Sequence, residues 1–467
     1  MSSRDNWWTS RMRTSCRATV ERISTVSPCW PPARSASCRP LHTEETAMPP
    51  FPRHTLSATW LLALLAGCGG GSSATGEAIA SAQDATVTAS AAAVRPPRPP
   101  APAPAAVPTL AAVGDRLFED TRLSASGKLA CASCHVPTQG HADAAGGFLP
   151  LGGLDGTRQG LRSSPSVRYL DQAGAFRFDA QGRPHGGLFW DGRADTRVQQ
   201  ARGPLFNADE MANADVTSLA TRLRALPYAA DLRAAAGLPA AATDDQLVDA
   251  AVTAIARYQA DDTKFHAFTS KFDAVQDGRA TFTAQEQRGL AAFNDPQRGN
   301  CASCHDSRPA PGLGRALFTN FSYHALGVPR NKSQATGNPA FFDLGLCGPQ
   351  RRDLAGRQDL CGLFRTPSLR NVALTAPYFH NASFASLEDV VAFYATRDID
   401  PTRWYPVVNG QVQRYNDLPP ALRTNVHHGA PFRRDGQPPA ITPQDAADIV
   451  AFLRTLSDGY SAAPSAP

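Results

Sequence analysis

The amino-acid sequence predicts a mostly α-helical body made of two successive domains, and three observations carry that expectation. The pentapeptide Cys131-Ala132-Ser133-Cys134-His135 returns letter for letter as Cys301-Ala302-Ser303-Cys304-His305. Apolar residues at helical spacing precede each copy, Leu110, Val113, Leu117 and Phe118 before the first, Leu290 and Phe293 before the second. Long alternating strand patterns are absent.

Not all of the 467 residues belong to that body. Residues 1–47 are rich in Arg, Ser and Pro without sustained period and read as a mis-annotated leader, so translation is expected to begin at Met48. Residues 48–68 then form a signal peptide: Arg53 and His54 precede the apolar run Trp60 to Ala66, which is too short for a stable span. Leu65-Ala66-Gly67-Cys68 resembles a bacterial lipobox, making Cys68 the expected lipidation site. An ordinary secretory signal with an incidental cysteine is the alternative. Residues 69–108, Gly/Ser/Ala-rich and then Pro-rich, cannot bury a core and read as a tether. Without the eight arginines and four acids of residues 1–67, the chain keeps 38 bases against 37 acids. That balance offers nothing to nucleic acid, and the only membrane attachment expected is the lipid anchor.

The repeated motif is the chemical signal. In CxxCH, two thiols are spaced to add across the vinyl groups of one haem, and the adjoining histidine is placed to bind its iron. A zinc site would need a further CxxC pair, which is missing. Two c-type haems are therefore expected, attached at Cys131 and Cys134 and at Cys301 and Cys304, with His135 and His305 as proximal ligands. Helix, CxxCH and loop in succession is how class I cytochrome c domains begin. Further helices are expected at 215–225, 243–260 and 442–456, and Thr283 with Glu286 forms a capping box before the second motif. The expected organisation is a haem domain over 109–275, a second over 276–460, and a tail at 461–467.

Three more blocks complete a resemblance: Phe189-Trp190-Asp191-Gly192-Arg193-Ala194, Gly203-Pro204-Leu205-Phe206-Asn207-Ala208-Asp209-Glu210-Met211, and Thr366-Pro367-Ser368-Leu369-Arg370-Asn371 running on to Ala376-Pro377-Tyr378-Phe379-His380. With the haem motifs, they make residues 108–460 resemble the bacterial dihaem cytochrome c peroxidase and MauG superfamily. The resemblance implies that Trp190 lies between the haems, that Glu210 is the distal acid at the peroxide-binding haem, and that Gln200 and Pro204 belong to the surrounding pocket. Peroxide heterolysis needs a group that takes a proton from one oxygen and returns it to the other, and a carboxylate in a dry pocket can do both. The resemblance also implies one calcium ion between the haems, at Ser163, Thr375 and Pro377, with Ser163 standing where the family has Asn.

Methionine separates the branches of the family. Only Met1, Met12, Met48 and Met211 occur, so nothing after the second motif offers a thioether. Where the electron-carrier peroxidases place their methionine this chain has Tyr394, as MauG-like enzymes do, on a helical face with Leu387, Val390 and Val391. His380, then His324, then His427 and His428, remain rival ligands. An oxygen or nitrogen ligand lowers the potential relative to a thioether. At the first haem the position of the conventional peroxidases' distal histidine is Asp155, so an open, five-coordinate site is expected; His141 lies too near the attachment loop to substitute, and His185, on the approach to Trp190, is the rival ligand. Cys347 and Cys361 suit a disulfide in an oxidising compartment, closing a loop of about 15 residues worth ~3 kcal/mol, with two free thiols as the alternative.

The expected protein is thus a periplasmic, lipid-anchored peroxidase of the MauG-like branch. It would reduce hydrogen peroxide and use a high-valent dihaem state to oxidise a partner protein. A conventional peroxidase fed by a small cytochrome or cupredoxin is one alternative. A non-catalytic dihaem electron-transfer cytochrome is another, and Glu210 with the missing distal ligand speaks against it.

Overall fold

The computed structural model describes residues 107–461 except 144–148, 332–337, 339 and 434–435. The expected leader, signal peptide, Cys68, nearly all of the tether and most of the tail lie outside the described residues. Among the described residues ten α-helices run in the order α1 (Leu110–Glu119), α2 (Cys131–Cys134), α3 (Arg197–Phe206), α4 (Val216–Arg224), α5 (Ala229–Ala235), α6 (Asp244–Asp261), α7 (Lys271–Gln276), α8 (Ala284–Asn294), α9 (Leu387–Thr396) and α10 (Pro443–Arg454). Most begin at a Ser, Thr or Asp whose side chain takes an otherwise orphaned amide. Thr283 at α8 and Thr442 at α10 do so within reciprocal capping boxes.

Two helix crossings organise the body, and they are near copies of one another. In the first, α1 lies against α6 so closely that a Cβ on Gly114 would sit 2.0 Å from the Ala254 carbonyl oxygen. In the second, α8 lies against α10, and a Cβ on Gly289 would sit 1.9 Å from the Asp448 carbonyl oxygen. Four residues beyond each glycine a phenylalanine meets an aromatic partner edge-on. Phe118 and Tyr258 have centroids 5.5 Å apart, and Phe293 and Phe452 5.3 Å apart. Each crossing centres its own core, one drawn from residues between Val113 and Phe265, the other from residues between Phe272 and Leu456. Both belong to one compact unit.

Between α8 and α9 lies a long stretch whose described residues form no α-helix and are held by short turns and buried ion pairs. The described residues also form four antiparallel pairs of two-residue strands, at Leu151–Gly152 with Arg158–Gln159, Arg177–Phe178 with Pro184–His185, Tyr323–His324 with Phe364–Arg365, and Val407–Val408 with Gln411–Val412. The body is thus mostly helical, as expected, and the strand pairs went unread because strands this short carry no readable alternation. No described helix is long and apolar enough to cross a membrane.

Candidate active site

Each CxxCH motif sits on a single helical turn, which brings both cysteines to one face. All four thiols are free, and burial pushes Cys131, Cys134 and Cys301 up to about 12. Thiols held that far from ionisation are poor redox dithiols but suit permanent thioether attachment. His135 Nδ1 faces the His141 carbonyl oxygen at 3.2 Å, and His305 Nδ1 faces the Phe318 carbonyl oxygen at 3.0 Å. A ring nitrogen donating to a carbonyl leaves Nε2 with its lone pair free, the tautomer an iron ligand needs. Burial holds both rings toward the neutral form, His305 down to about 4.

In front of His135 opens a cavity of about 1270 Å³ whose wall includes Cys131, Cys134, Trp190, Gln200, Pro204 and Glu210. The residues singled out for the peroxide side are therefore brought together. Helix α3 supplies Gln200 and Pro204, and the turn after it supplies Glu210. Burial raises the Glu210 carboxyl above the usual range, opposed by a 2.7 Å hydrogen bond from Asn207 Nδ2 to Oε1. Gly152 packs so tightly on this turn that a Cβ would meet the Asp209 carbonyl oxygen at 2.2 Å. His135 is the only histidine lining this cavity among the described residues. Asp155 is exposed at a hairpin tip, its carboxylate accepting from the Thr157 amide.

A second cavity, of about 1850 Å³, lies before His305, with Cys301, Cys304 and Tyr394 in its wall. Segment 163–166, Trp190 and Arg365 line both cavities and form a common partition. Trp190 is fixed there by a 2.9 Å bond from Nε1 to the Ser163 carbonyl oxygen. Tyr394 stacks on Phe432 at 5.5 Å.

Known proteins match this arrangement. The family model described as di-haem cytochrome c peroxidase matches residues 108–281. MauG, a methylamine utilization protein of Paracoccus denitrificans, is 36% identical over 371 residues, covering 75% of this chain and 88% of its own. The chain belongs to the dihaem cytochrome c peroxidase and MauG family. The cytochrome c551 peroxidase of Nitrosomonas europaea is 30% identical over 290 residues, covering 60% of this chain and 71% of its own. The crystal structure of the diheme peroxidase BthA from Burkholderia thailandensis superimposes with a TM-score of 0.69 at 40% identity, covering 75% of this chain and 86% of that one.

This dihaem peroxidase is thus an oxidoreductase that carries two c-type haems and acts on hydrogen peroxide with a partner protein. The free thiols, the oriented histidines and the two cavities fit those haems. His324, His380 and His427 also line the second cavity. His380 is engaged elsewhere, with Nε2 3.0 Å from Asp417 and its ring stacked 3.5 Å from Phe364, whereas His428 is exposed beside Asp398. Ser163, Thr375 and Pro377 share the second cavity's wall. The Ser163 hydroxyl donates to the Phe379 carbonyl oxygen at 2.8 Å. Cys347 and Cys361, which line neither cavity, are disulfide-bonded with Cα atoms 5.0 Å apart.

Several functional neighbours escaped the sequence reading. Asn207 stood inside a quoted block without a role. Arg193, stacked 3.5 Å over Phe189, lines the first cavity beside the Asp191 and Arg162 ion pair. Arg365 immediately precedes the Thr366 block. The signal available was position, since Asn207 and Arg193 lie inside those blocks and Arg365 beside one.

Proposed function

We propose that this peroxidase is of the MauG-like branch, spending the two oxidising equivalents of peroxide on a partner protein. The observation that carries the reading is Tyr394 itself, a phenol in the wall of the second cavity together with Cys301, Cys304 and His305. Desolvation raises the pKa of this phenol, so it needs a cationic partner to become a good donor. The haems, when bound, supply the iron at which peroxide is reduced and the two electrons that the reduction to two waters consumes. Glu210 takes a proton from one peroxide oxygen and returns it to the other, while Asn207 holds the carboxyl in place. Gln200 and Pro204 narrow the pocket around it. Trp190, pinned to Ser163, offers an aromatic path through the partition.

The proposal includes two class I cytochrome c-like domains, 109–275 and 276–460, supported by the duplicated crossing at Gly114 and Gly289. It also includes a periplasmic location with a lipid anchor at Cys68. A calcium ion at Ser163, Thr375 and Pro377 would have only neutral oxygen donors from those residues, which favours a loosely held ion over a structural one. The test is a stoichiometric peroxide titration of the ferric protein, followed optically at both haems. Parent enzyme should give changes at both, and Tyr394→Phe should alter the second haem's spectrum while sparing the first. An unchanged second-haem spectrum in Tyr394→Phe overturns the reading.

A further inference from the structure

Five arginines are buried among the described residues, and four of them are matched by a carboxylate. Arg162 meets Asp191 at 2.7 Å and Asp343 at 2.6 Å, Arg351 meets Asp353 at 2.8 Å, Arg370 meets Asp273 at 2.6 Å, and Arg397 meets Asp398 at 2.5 Å. Arg365, only 5% exposed, is the exception. Its Nε donates to the Phe189 carbonyl oxygen at 3.0 Å, and its main-chain amide donates to the Trp190 carbonyl oxygen at 2.8 Å. Its Nη1 is buried with no partner at all. A buried guanidinium without a counter-charge costs several kcal/mol, so a folded chain keeps one only where an anion comes to meet it.

The surroundings define that anion. The nearby carboxylates are already taken, Asp191 by Arg162 and Arg193 and Asp343 by Arg162. Arg162, Arg193 and Arg365 against Asp191 and Asp343 leave one positive charge over. Arg365 lines both cavities, in the partition that also carries Trp190. Planar, bidentate recognition of a carboxylate is what the guanidinium fork does best. The carboxylates that two covalently held haems bring into these cavities are their own propionates.

We propose that Arg365 is a carboxylate-binding site that takes a haem propionate at the partition, supplying the positive charge that the two haem cavities share. The proposal rests on the two-haem reading. Through its bonds to the Phe189 and Trp190 carbonyls, the same residue ties propionate position to the placement of Trp190. A cation beside both irons favours their reduced states, so removing it should lower both midpoint potentials.

The test uses the holoenzyme, with haem counted first by its pyridine haemochrome. A parent with fewer than two haems would sink the two-haem reading, independently of what Arg365 does. With two haems present, Arg365→Gln should lower both midpoint potentials in spectroelectrochemical titration and shift a propionate carboxylate band in the infrared difference spectrum. Arg365→Lys, which keeps the charge and loses the fork, should shift the band with a smaller fall in potential. If Arg365→Gln fails to accumulate, Arg365→Lys alone decides, and an unchanged carboxylate band overturns the proposal. Potentials in Arg365→Gln equal to the parent's overturn it as well. So would parent potentials that respond to added acetate at constant ionic strength, since a solvent anion would then occupy the site.

Discussion

Asn207 Nδ2 donates to Glu210 Oε1 across 2.7 Å, the one side-chain bond that opposes the effect of burial on this carboxyl. Activity that needs the carboxylate falls as pH drops through its folded pKa, which lies above the ordinary glutamate value. Asn207→Ala should therefore move the acidic limb of the kcat/KM profile for peroxide to higher pH. Glu210→Gln should lower kcat/KM by roughly 10²- to 10⁴-fold. Because a raised folded pKa gives stability only in acid and loses it as pH rises through that value, Glu210→Gln should also raise the melting temperature at neutral pH. Stopped-flow kinetics and a melt of the same preparation check both.

Trp190 is tied to Ser163 by a single indole bond, and its carbonyl receives the Arg365 amide. Trp190→Phe keeps a ring in the partition but strands the Ser163 carbonyl, costing about 1–3 kcal/mol if it stays buried. Both haems should remain, and peroxide-induced optical changes should become confined to the first. Equal changes at both haems would count against a path through this side chain.

The paired crossings respond to the smallest possible insertion. Gly114→Ala and Gly289→Ala each place a methyl within about 2 Å of a carbonyl oxygen on the facing helix, where neither backbone can yield cheaply. Each should destabilise the protein by ~3 kcal/mol or more, by the upper end of overpacking costs. Chemical denaturation of the two single variants checks this. Gly278→Ala, at a site with open space around it, is expected to cost less despite its positive φ.

Asp273 and Arg370 are both fully buried and joined at 2.6 Å, inside a ring of Tyr169, Phe268, Phe272 and Phe318. Asp273→Ala leaves the guanidinium stranded and should cost ~3–5 kcal/mol. The exposed pair Arg454 and Glu388, also 2.6 Å apart, should cost no more than about 1 kcal/mol when broken by Glu388→Ala. Urea midpoints of the two variants should differ accordingly.

What could be read in advance was what is local. The CxxCH turns, the Thr283 box and the helices near 215, 243 and 442 depend on neighbours a few residues away, and the observed boundaries fall within about two residues of expectation. The stretch between α8 and α9 was illegible, because it is held by partners far off in sequence. Arg162 reaches Asp343 across 181 positions, and Arg370 reaches Asp273 across 97. Strands of two residues are likewise too short to show alternation. The glycine four residues before Phe118, matched by the one before Phe293, was in plain sight. It is the residue that lets each pair of helices touch, and composition alone gives no reason to look there.

The common wall has an architectural consequence. Because residues 163–166, Trp190 and Arg365 bound both chambers simultaneously, neither half of the chain can be excised as a self-sufficient one-haem module. A cut near residue 270 would hand one fragment Trp190 and the other Arg365, leaving each chamber open along a side that was never built to meet water.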